Sequence, residues 1–250
     1  MDGNKVLLTE AEKTRYNRQI ILPGWGEEGQ RKIKQATVFI AGAGGLGSPV
    51  AIYLAAAGIG CLRICDCGEP ELSNLNRQIL HTDEDLGKKK VDSAKETLSK
   101  INPHVDIISL PEKIARENIA QLVANSQIML DCLDNFETRY ILNEYAVKTG
   151  LPFIHAGVYG MSGQITFIHS PETPCLQCIF PQMPPPEIFP VVGATPGVIG
   201  SLEALEALKY LVGQGTCLEK RLLIWEGDIG RFEAIAIEKS VSCPVCGKQE

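Results

Sequence analysis

The sequence predicts an α/β protein with a doubly wound, Rossmann-like and mostly parallel sheet. Antiparallel strands extend that sheet near the C-terminus, and a four-cysteine zinc knot staples it. Three observations carry this. The apolar run Ala36-Thr-Val-Phe-Ile-Ala41 leads straight into Gly42-Ala-Gly44-Gly45-Leu-Gly47, the order in which a buried parallel strand hands over to a phosphate-binding turn and helix. Short apolar runs then alternate with helical stretches up to His155, as right-handed crossovers in a parallel sheet require. Two short cysteine pairs, Cys175-x-x-Cys178 and Cys243-x-x-Cys246, have the spacing of a structural metal site.

Taken in order, Thr9-Glu-Ala-Glu12 has capping-box spacing and opens a helix expected to run to Arg18. A second helix spans Glu27 to Gln35. After the glycine turn, Ser48 to Ala57 is helical and Gly58-Ile-Gly60 stops it. Strand two is Cys61 to Cys65, ending at Asp66. A helix from Lys89 to Lys100 precedes strand three, Val105 to Ser109. A helix over Ile114–Ala124 feeds strand four, Ile128 to Asp131. Asn135 to Lys148 is helical and strand five is Pro152 to His155. The pattern then changes. Gln164 to His169 alternates like a strand with one exposed face. Pro181 to Pro190 is too rich in proline for regular structure, and a helix follows from Val198 to Leu211. Strands Arg221–Trp225 and Phe232–Ile237 precede the second cysteine pair.

Bulk properties exclude several classes. An apolar share of 44% and a charged share of 22% describe an ordinary globular chain. A net charge of −6, with no basic face or tail, gives no sign of nucleic-acid binding. No apolar run reaches the roughly 18 residues that span a bilayer. Glu10, Glu12, Lys13, Arg15 and Arg18 rule out a signal-peptide core in the first thirty residues. Nine cysteines, an odd number, suit thiolate ligands in a reducing compartment better than disulfides. A cytoplasmic protein is expected.

The residues that carry chemistry gather at predicted strand ends. Gly42, Gly44 and Gly47 let the backbone approach a phosphate, and Asp66 is placed to accept from ribose hydroxyls. These alone fit an NAD-dependent oxidoreductase. Ser73-Asn74-Leu-Asn-Arg77-Gln78 and Gly87-Lys-Lys-Lys90 add cations that such an enzyme does not need. A site that splits a triphosphate does need them, because charge grows on the departing pyrophosphate. Arg77 and Lys88–Lys90 equally describe a solvated loop and helix start. Asp134, after strand four, can hold Mg²⁺ against phosphate oxygens, and an aspartate just ahead of a helix also serves as an N-cap. Four thiolates saturate a tetrahedral zinc ion, so Cys175, Cys178, Cys243 and Cys246 point to a structural rather than a catalytic metal. Cys61, Cys65, Cys67, Cys132 and Cys217 read as small core residues. His81, His104, His155 and His169 show no metal spacing and read as structural or incidental.

The chain resembles the bacterial E1-like adenylating enzymes of the MoeB/ThiF/HesA family from about Arg15 to Cys246. The likeness rests on Arg15-Tyr-Asn-Arg18-Gln, the glycine turn with Gly45, Ser73-Asn74-x-x-Arg77-Gln, and Gly87-x-x-Lys90. Asp131-Cys-x-Asp134-Asn, Gly163-Gln-Ile-Thr, Gly197-Val-Ile-Gly-Ser201 and both cysteine pairs complete it. The resemblance implies one adenylation domain over 1–250: a helical arm at 1–35, a nucleotide-binding half at 36–160 and a zinc-stapled, carrier-binding lobe at 161–250. It implies binding of Mg-ATP and of the C-terminal Gly-Gly tail of a small ubiquitin-like sulfur carrier of the MoaD/ThiS kind. The tail carboxylate attacks the α-phosphate, giving an acyl-adenylate and pyrophosphate. By the same resemblance Asp66 binds ribose, Asn74, Arg77 and Lys90 contact phosphates, and Asp134 handles Mg²⁺. Arg18 is implied to reach the nucleotide of a neighbouring subunit, hence a homodimer.

One departure bears on the chemistry. Many relatives carry a cysteine between the first pair and the Gly-Val-Ile-Gly-Ser helix, and residues 179–196 contain none. The reaction is therefore expected to end at the adenylate, with sulfur arriving from a separate donor because no rhodanese-like segment appears in the sequence. A non-catalytic scaffold that holds a carrier is the remaining alternative, and it would have no use for a phosphate clamp.

Overall fold

Strand β1 (Thr37–Ala41) is buried along its whole length. Its alternating residues feed two separate apolar layers, Val38 and Ile40 on one face and Phe39 and Ala41 on the other. That two-sided burial is what a central parallel strand requires, and it fixes helices on both faces of the sheet. The structure is a computed structural model, and it describes residues 7–183 and 189–247.

Three short helices come first: α1 (Glu10–Arg15), α2 (Asn17–Ile20) and α3 (Gly26–Gln35). The capping box at Thr9 and Glu12 is present. The single helix expected to reach Arg18 is instead broken at Tyr16. There the backbone leaves helical geometry, and the ring packs on Gly58 while its hydroxyl accepts from Asn102 Nδ2 at 2.8 Å. Then come α4 (Gly47–Ala57), β2 (Cys61–Cys65), α5 (Lys90–Ile101), β3 (Asp106–Leu110), α6 (Ile119–Val123), β4 (Ile128–Asp131) and α7 (Phe136–Thr149). Helix α6 is much shorter than the 114–124 expectation. Asn118 explains this: its Oδ1 accepts from Ala115 N–H at 2.8 Å and its Nδ2 donates to the Lys113 carbonyl at 3.0 Å, local bonds that compete with helix.

Strand β5 (Phe153–Tyr159) runs past His155 and turns through Gly160 into β6 (Ser162–Ile168). The chain continues through α8 (Leu176–Ile179), α9 (Ala194–Val212), β7 (Arg221–Glu226) and β8 (Arg231–Ala236). All eight strands form one sheet in the order β3-β2-β1-β4-β5-β6-β7-β8. The first five are parallel and the last three pair antiparallel. Strand β6 lacks the exposed face expected of it. It lies between β5 and β7 and buries Ile165, Thr166, Phe167 and Ile168. Helix α9 starts earlier than Val198, with Pro196 in its first turn, where a missing amide costs no helical bond. The middle of the Pro181–Pro190 segment, residues 184–188, lies outside the described residues.

Strand order reverses between β1 and β4, so the turns after these two strands flank one crevice at the carboxyl edge. Ligands of open α/β sheets bind at such switch points.

Candidate active site

The glycines after β1 are required by close approach. Gly42 has φ +102°, and a Cβ there would stand 2.6 Å from the Cys132 carbonyl oxygen on the β4 side of the crevice. A Cβ on Gly47 would stand 2.1 Å from the Gly42 oxygen. The turn is thus a tight ring of backbone pressed against the β4–α7 connection, with α4 beginning where its free amides face the crevice. Asp66 Oδ2 accepts from Ala43 N–H at 2.9 Å and Oδ1 from Gly68 N–H at 2.8 Å. The carboxylate therefore orders the turn first. Each oxygen retains a lone pair for a ribose hydroxyl.

Of the predicted cations, Arg77 reaches this turn and Lys90 the loop after Asp66. The Arg77 stem lies 3.5 Å from where a Gly45 Cβ would sit, and the Lys90 stem 3.6 Å from that of Gly68. Among the described residues Arg77 bonds to neutral oxygens, the Ser73 carbonyl at 2.8 Å and Asn76 Oδ1 at 3.0 Å. The lysine run divides by role. Lys88 pairs with Asp85 and Glu96, and Lys89 with Glu69. Lys90 is half-buried and, among the described residues, makes no ion pair. Asn74, half-buried in the turn Leu72–Asn74, accepts from Arg77 N–H at 3.1 Å through its carbonyl. His81 supports the turn from below, with Nε2 2.9 Å from the Ala43 carbonyl and Nδ1 2.9 Å from Ser93 Oγ. Burial pushes its pKa down, favouring the neutral ring, and Lys90 acts in the same direction.

Asp134 is exposed at the start of α7. It does not cap that helix. Asn135 does, its side chain accepting from Thr138 N–H at 2.9 Å. The Asp134 carboxylate has no cation partner among the described residues, and Asn135 Nδ2 lies 3.5 Å from its Oδ1.

Beneath it lies a buried polar cluster that sequence reasoning missed. His155 Nδ1 is 2.7 Å from Asp131 Oδ2, both fully buried, and Arg139 Nε approaches the same oxygen at 3.3 Å. Burial pushes the His155 pKa down. The neutral ring then donates from Nδ1 to Asp131 and accepts at Nε2 from the Gln164 amide, 3.4 Å away. Glu203 of α9, fully buried, meets Cys132 Sγ at 3.7 Å while its Oε1 has no partner. Burial, with Asp131 nearby, pushes its pKa well above 4.5, which favours the neutral acid.

Arg18 lies elsewhere. Tyr16 and Gln19 pack on the C-terminal end of α4, where Gln19 Nε2 donates to the Ala57 carbonyl at 3.1 Å. The glycine turn is at the other end of that 11-residue helix, about 16 Å away. Arg18 is exposed and, among the described residues, free of ion pairs.

The four cysteines come together, with all sulfurs within 4.8 Å of one another, Cys175 and Cys243 at 3.6 Å and Cys178 and Cys246 at 3.4 Å. A tetrahedron of sulfurs around zinc has edges of about 3.8 Å, so the set fits that ion. Burial raises the Cys243 thiol, but amide N–H groups of Cys246 and Val245 outweigh it and bring the pKa to about 7. Of the other cysteines, Cys65 and Cys132 are buried, Cys61 and Cys217 half-buried. Cys67 departs from the core assignment and is exposed, because the chain turns outward after Asp66.

Among the described residues no helix is long and apolar enough to cross a membrane. The ThiF family model matches residues 16–245. The sulfur carrier protein adenylyltransferase of Thermus thermophilus is 40% identical over 96% of this chain and 93% of its own length. The adenylyltransferase and sulfurtransferase MOCS3 of Drosophila yakuba is 42% identical over 97% of the chain, which spans 55% of that longer protein. The crystal structure of E. coli MccB with ATP superposes with a TM-score of 0.83 at 25% identity, covering 96% of this chain and 75% of that one.

Proposed function

The chain belongs to the ThiF family, and on that footing we propose that it adenylates the C-terminal glycine carboxylate of a small ubiquitin-like sulfur carrier. Residues 1–250 act as one adenylation domain. The observation that carries the proposal is the placing of Arg77 against the glycine turn and of Lys90 beside Asp66, which bonds to that turn. An NAD-dependent oxidoreductase would need the turn and the acid but not two cations that, among the described residues, have no carboxylate partner, and a scaffold would need neither.

In this reading the turn amides and α4 cradle the phosphates of ATP, and Asp66 holds the ribose. The nucleophile is the carrier's own carboxylate, so no serine–histidine pair is called for. The enzyme aligns that carboxylate with the α-phosphorus and neutralises the charge that builds as pyrophosphate leaves. Arg77 clamps by its fork of donors, Lys90 acts as a point charge, and Asn74 donates beside them. Asp134 would hold Mg²⁺, which spreads the phosphate charge when bound. The product is an acyl-adenylate, and with no cysteine at 179–196 sulfur comes from a separate donor.

Arg18 cannot serve its own chain's turn from the far end of α4. Its use in adenylation therefore requires a second subunit, which supports a homodimer with shared sites. The four-cysteine set would hold a structural zinc ion, and the reducing conditions it needs suit a cytoplasmic setting.

The test is carrier-dependent ATP–pyrophosphate exchange. Arg77→Ala and Asp134→Ala should each lower the rate by about 10²–10³, equivalent to about 2.7–4 kcal/mol of lost transition-state stabilisation, with unchanged melting temperature. Near-normal exchange in both variants would count against these roles.

A further inference from the structure

The β4–α7 connection that ends in Asp134 is gripped by groups the adenylation chemistry does not itself employ. Asp131 Oδ1 accepts from Leu133 N–H at 3.1 Å. Arg139, only 6% exposed, donates through Nη2 to the Leu133 carbonyl and, at 3.0 Å, to the Ala156 carbonyl of β5. Its Nε stands 3.3 Å from Asp131 Oδ2, close enough for an ion pair but out of line for a hydrogen bond. The guanidinium lies over the Phe136 ring at 5.0 Å. Both peptide groups of Leu133 are therefore fixed, and the second of them is the peptide that joins Leu133 to Asp134. On the other side Asn135 locks the helix start.

We propose that Arg139 is a positioning residue for adenylation: by holding the Leu133–Asp134 peptide against β5 it keeps the exposed Asp134 carboxylate in one orientation at the crevice. The inference rests on the reading of Asp134 as the Mg²⁺-handling residue. Arginine suits the task where lysine does not. A point charge satisfies Asp131, whereas a planar fork can also reach two carbonyl oxygens on separate elements. A purely structural role, neutralising a buried aspartate, would be met by either cation.

Arg139→Lys separates the two. The first readout is Mn²⁺ affinity in the presence of a non-hydrolysable ATP analogue, followed by electron paramagnetic resonance of free Mn²⁺. The second is the split between kcat and KM for ATP in carrier-dependent exchange. Loss of an outer partner of a metal-binding group typically costs about 10–100-fold. Arg139→Lys should weaken Mn²⁺ binding and lower kcat by that factor while KM for ATP and the melting temperature hold, since the glycine turn, Arg77 and Lys90 are untouched. Combined with Asp134→Asn it should lose no more than Asp134→Asn alone.

Wild-type Mn²⁺ affinity and kcat in Arg139→Lys, with Asp134→Asn inactive, would overturn the positioning role alone. An active Asp134→Asn with normal Mn²⁺ affinity would remove the Asp134 reading and the proposal with it. Should Arg139→Lys fail to fold, Phe136→Leu, which takes away the ring under the guanidinium, replaces it. Weaker Mn²⁺ binding would support the role and unchanged binding would overturn it.

Discussion

Glu203 offers a sharp test of how the interior under the crevice is built. It is fully buried on α9, touches Cys132 and lies close enough to Asp131 and Arg139 to feel their charges. Burial raises its pKa well above 4.5, its ordinary value. The sign follows from linkage. The unfolded chain releases the proton near 4.5 and the folded chain keeps it, so the stability this acid contributes is complete below that pH. It is lost as pH rises towards the folded pKa. Within that window the loss is about 1.4 kcal/mol per pH unit. Glu203→Gln keeps the shape and removes the proton. Any cost of its amide in the same apolar site is independent of pH, so only the slope reports titration. Chemical unfolding of both proteins at fixed concentration and saturating zinc, from about pH 5 to about pH 8, supplies the difference in stability. The variant should gain on the parent by about 1.4 kcal/mol for each pH unit until the folded pKa is passed. Taking the difference cancels His155, whose depressed pKa makes the fold lose stability as pH falls below 6.5. Parallel curves would mean that Glu203 ionises as an exposed acid does, and the account of this cluster as a neutral, desolvated layer would be refuted.

Two further predictions concern assembly and the metal. If sites are shared between subunits, Arg18→Ala and Asp134→Ala chains, each inactive alone, should recover about a quarter of wild-type exchange when co-expressed. Half the dimers are then mixed, and each mixed dimer has one intact site of two; no recovery in verified mixed dimers would mean that Arg18 and Asp134 do not serve a site shared between subunits. Cys246→Ser should lower bound zinc from about one ion per chain to none and reduce the melting temperature, because metal-binding energy is folding energy in such knots. Elemental analysis checks the first part and thermal unfolding with and without a chelator the second.

What was legible in the sequence is what depends on neighbours in the chain. The strand, turn and helix from Thr37 to Ala57 could be read because each residue's role is set within a few positions, and strands Cys61–Cys65 and Ile128–Asp131 were legible with their bounds because polar or glycine residues flank their apolar centres. The cysteine pairs were legible because their spacing is itself the signal. The Asp131–Arg139–His155–Glu203 cluster was not, since its members come from β4, α7, β5 and α9 and meet only in the folded sheet. A signal existed: His155 directly follows the apolar pair Phe153 and Ile154, and Glu203 sits among Ile199, Leu202 and Ala207 on a helix that must pack. Polar residues inside apolar patterns mark either a partner or a function. The failed helix at Ile114–Ala124 had a different cause. Its periodicity was adequate, but Asn118 had a local alternative for its side chain.

Helix α7 links the two sites that the sequence presents as separate. Its first turn follows Asp134, and its later turns touch the cysteine knot: Asn143 Oδ1 accepts from Leu176 N–H at 2.8 Å, and Val147 packs against the cysteines. Tyr140, between them, donates its hydroxyl to the Phe180 carbonyl at 2.8 Å. The Phe180 ring in turn stands against Phe136 and His155, with centroids 5.6 Å away in both cases. Phe180 directly follows α8, the short helix that holds Cys178. A shift of the knot would thus be felt at His155 through Phe180 and at Asp134 through the helix axis. Through that arrangement a structural zinc ion held by the four cysteines would bear on the crevice without offering it a free coordination position. By fixing Cys178 and hence Phe180 against α7, such an ion would steady Phe136 and His155, the residues that flank the Asp134 connection.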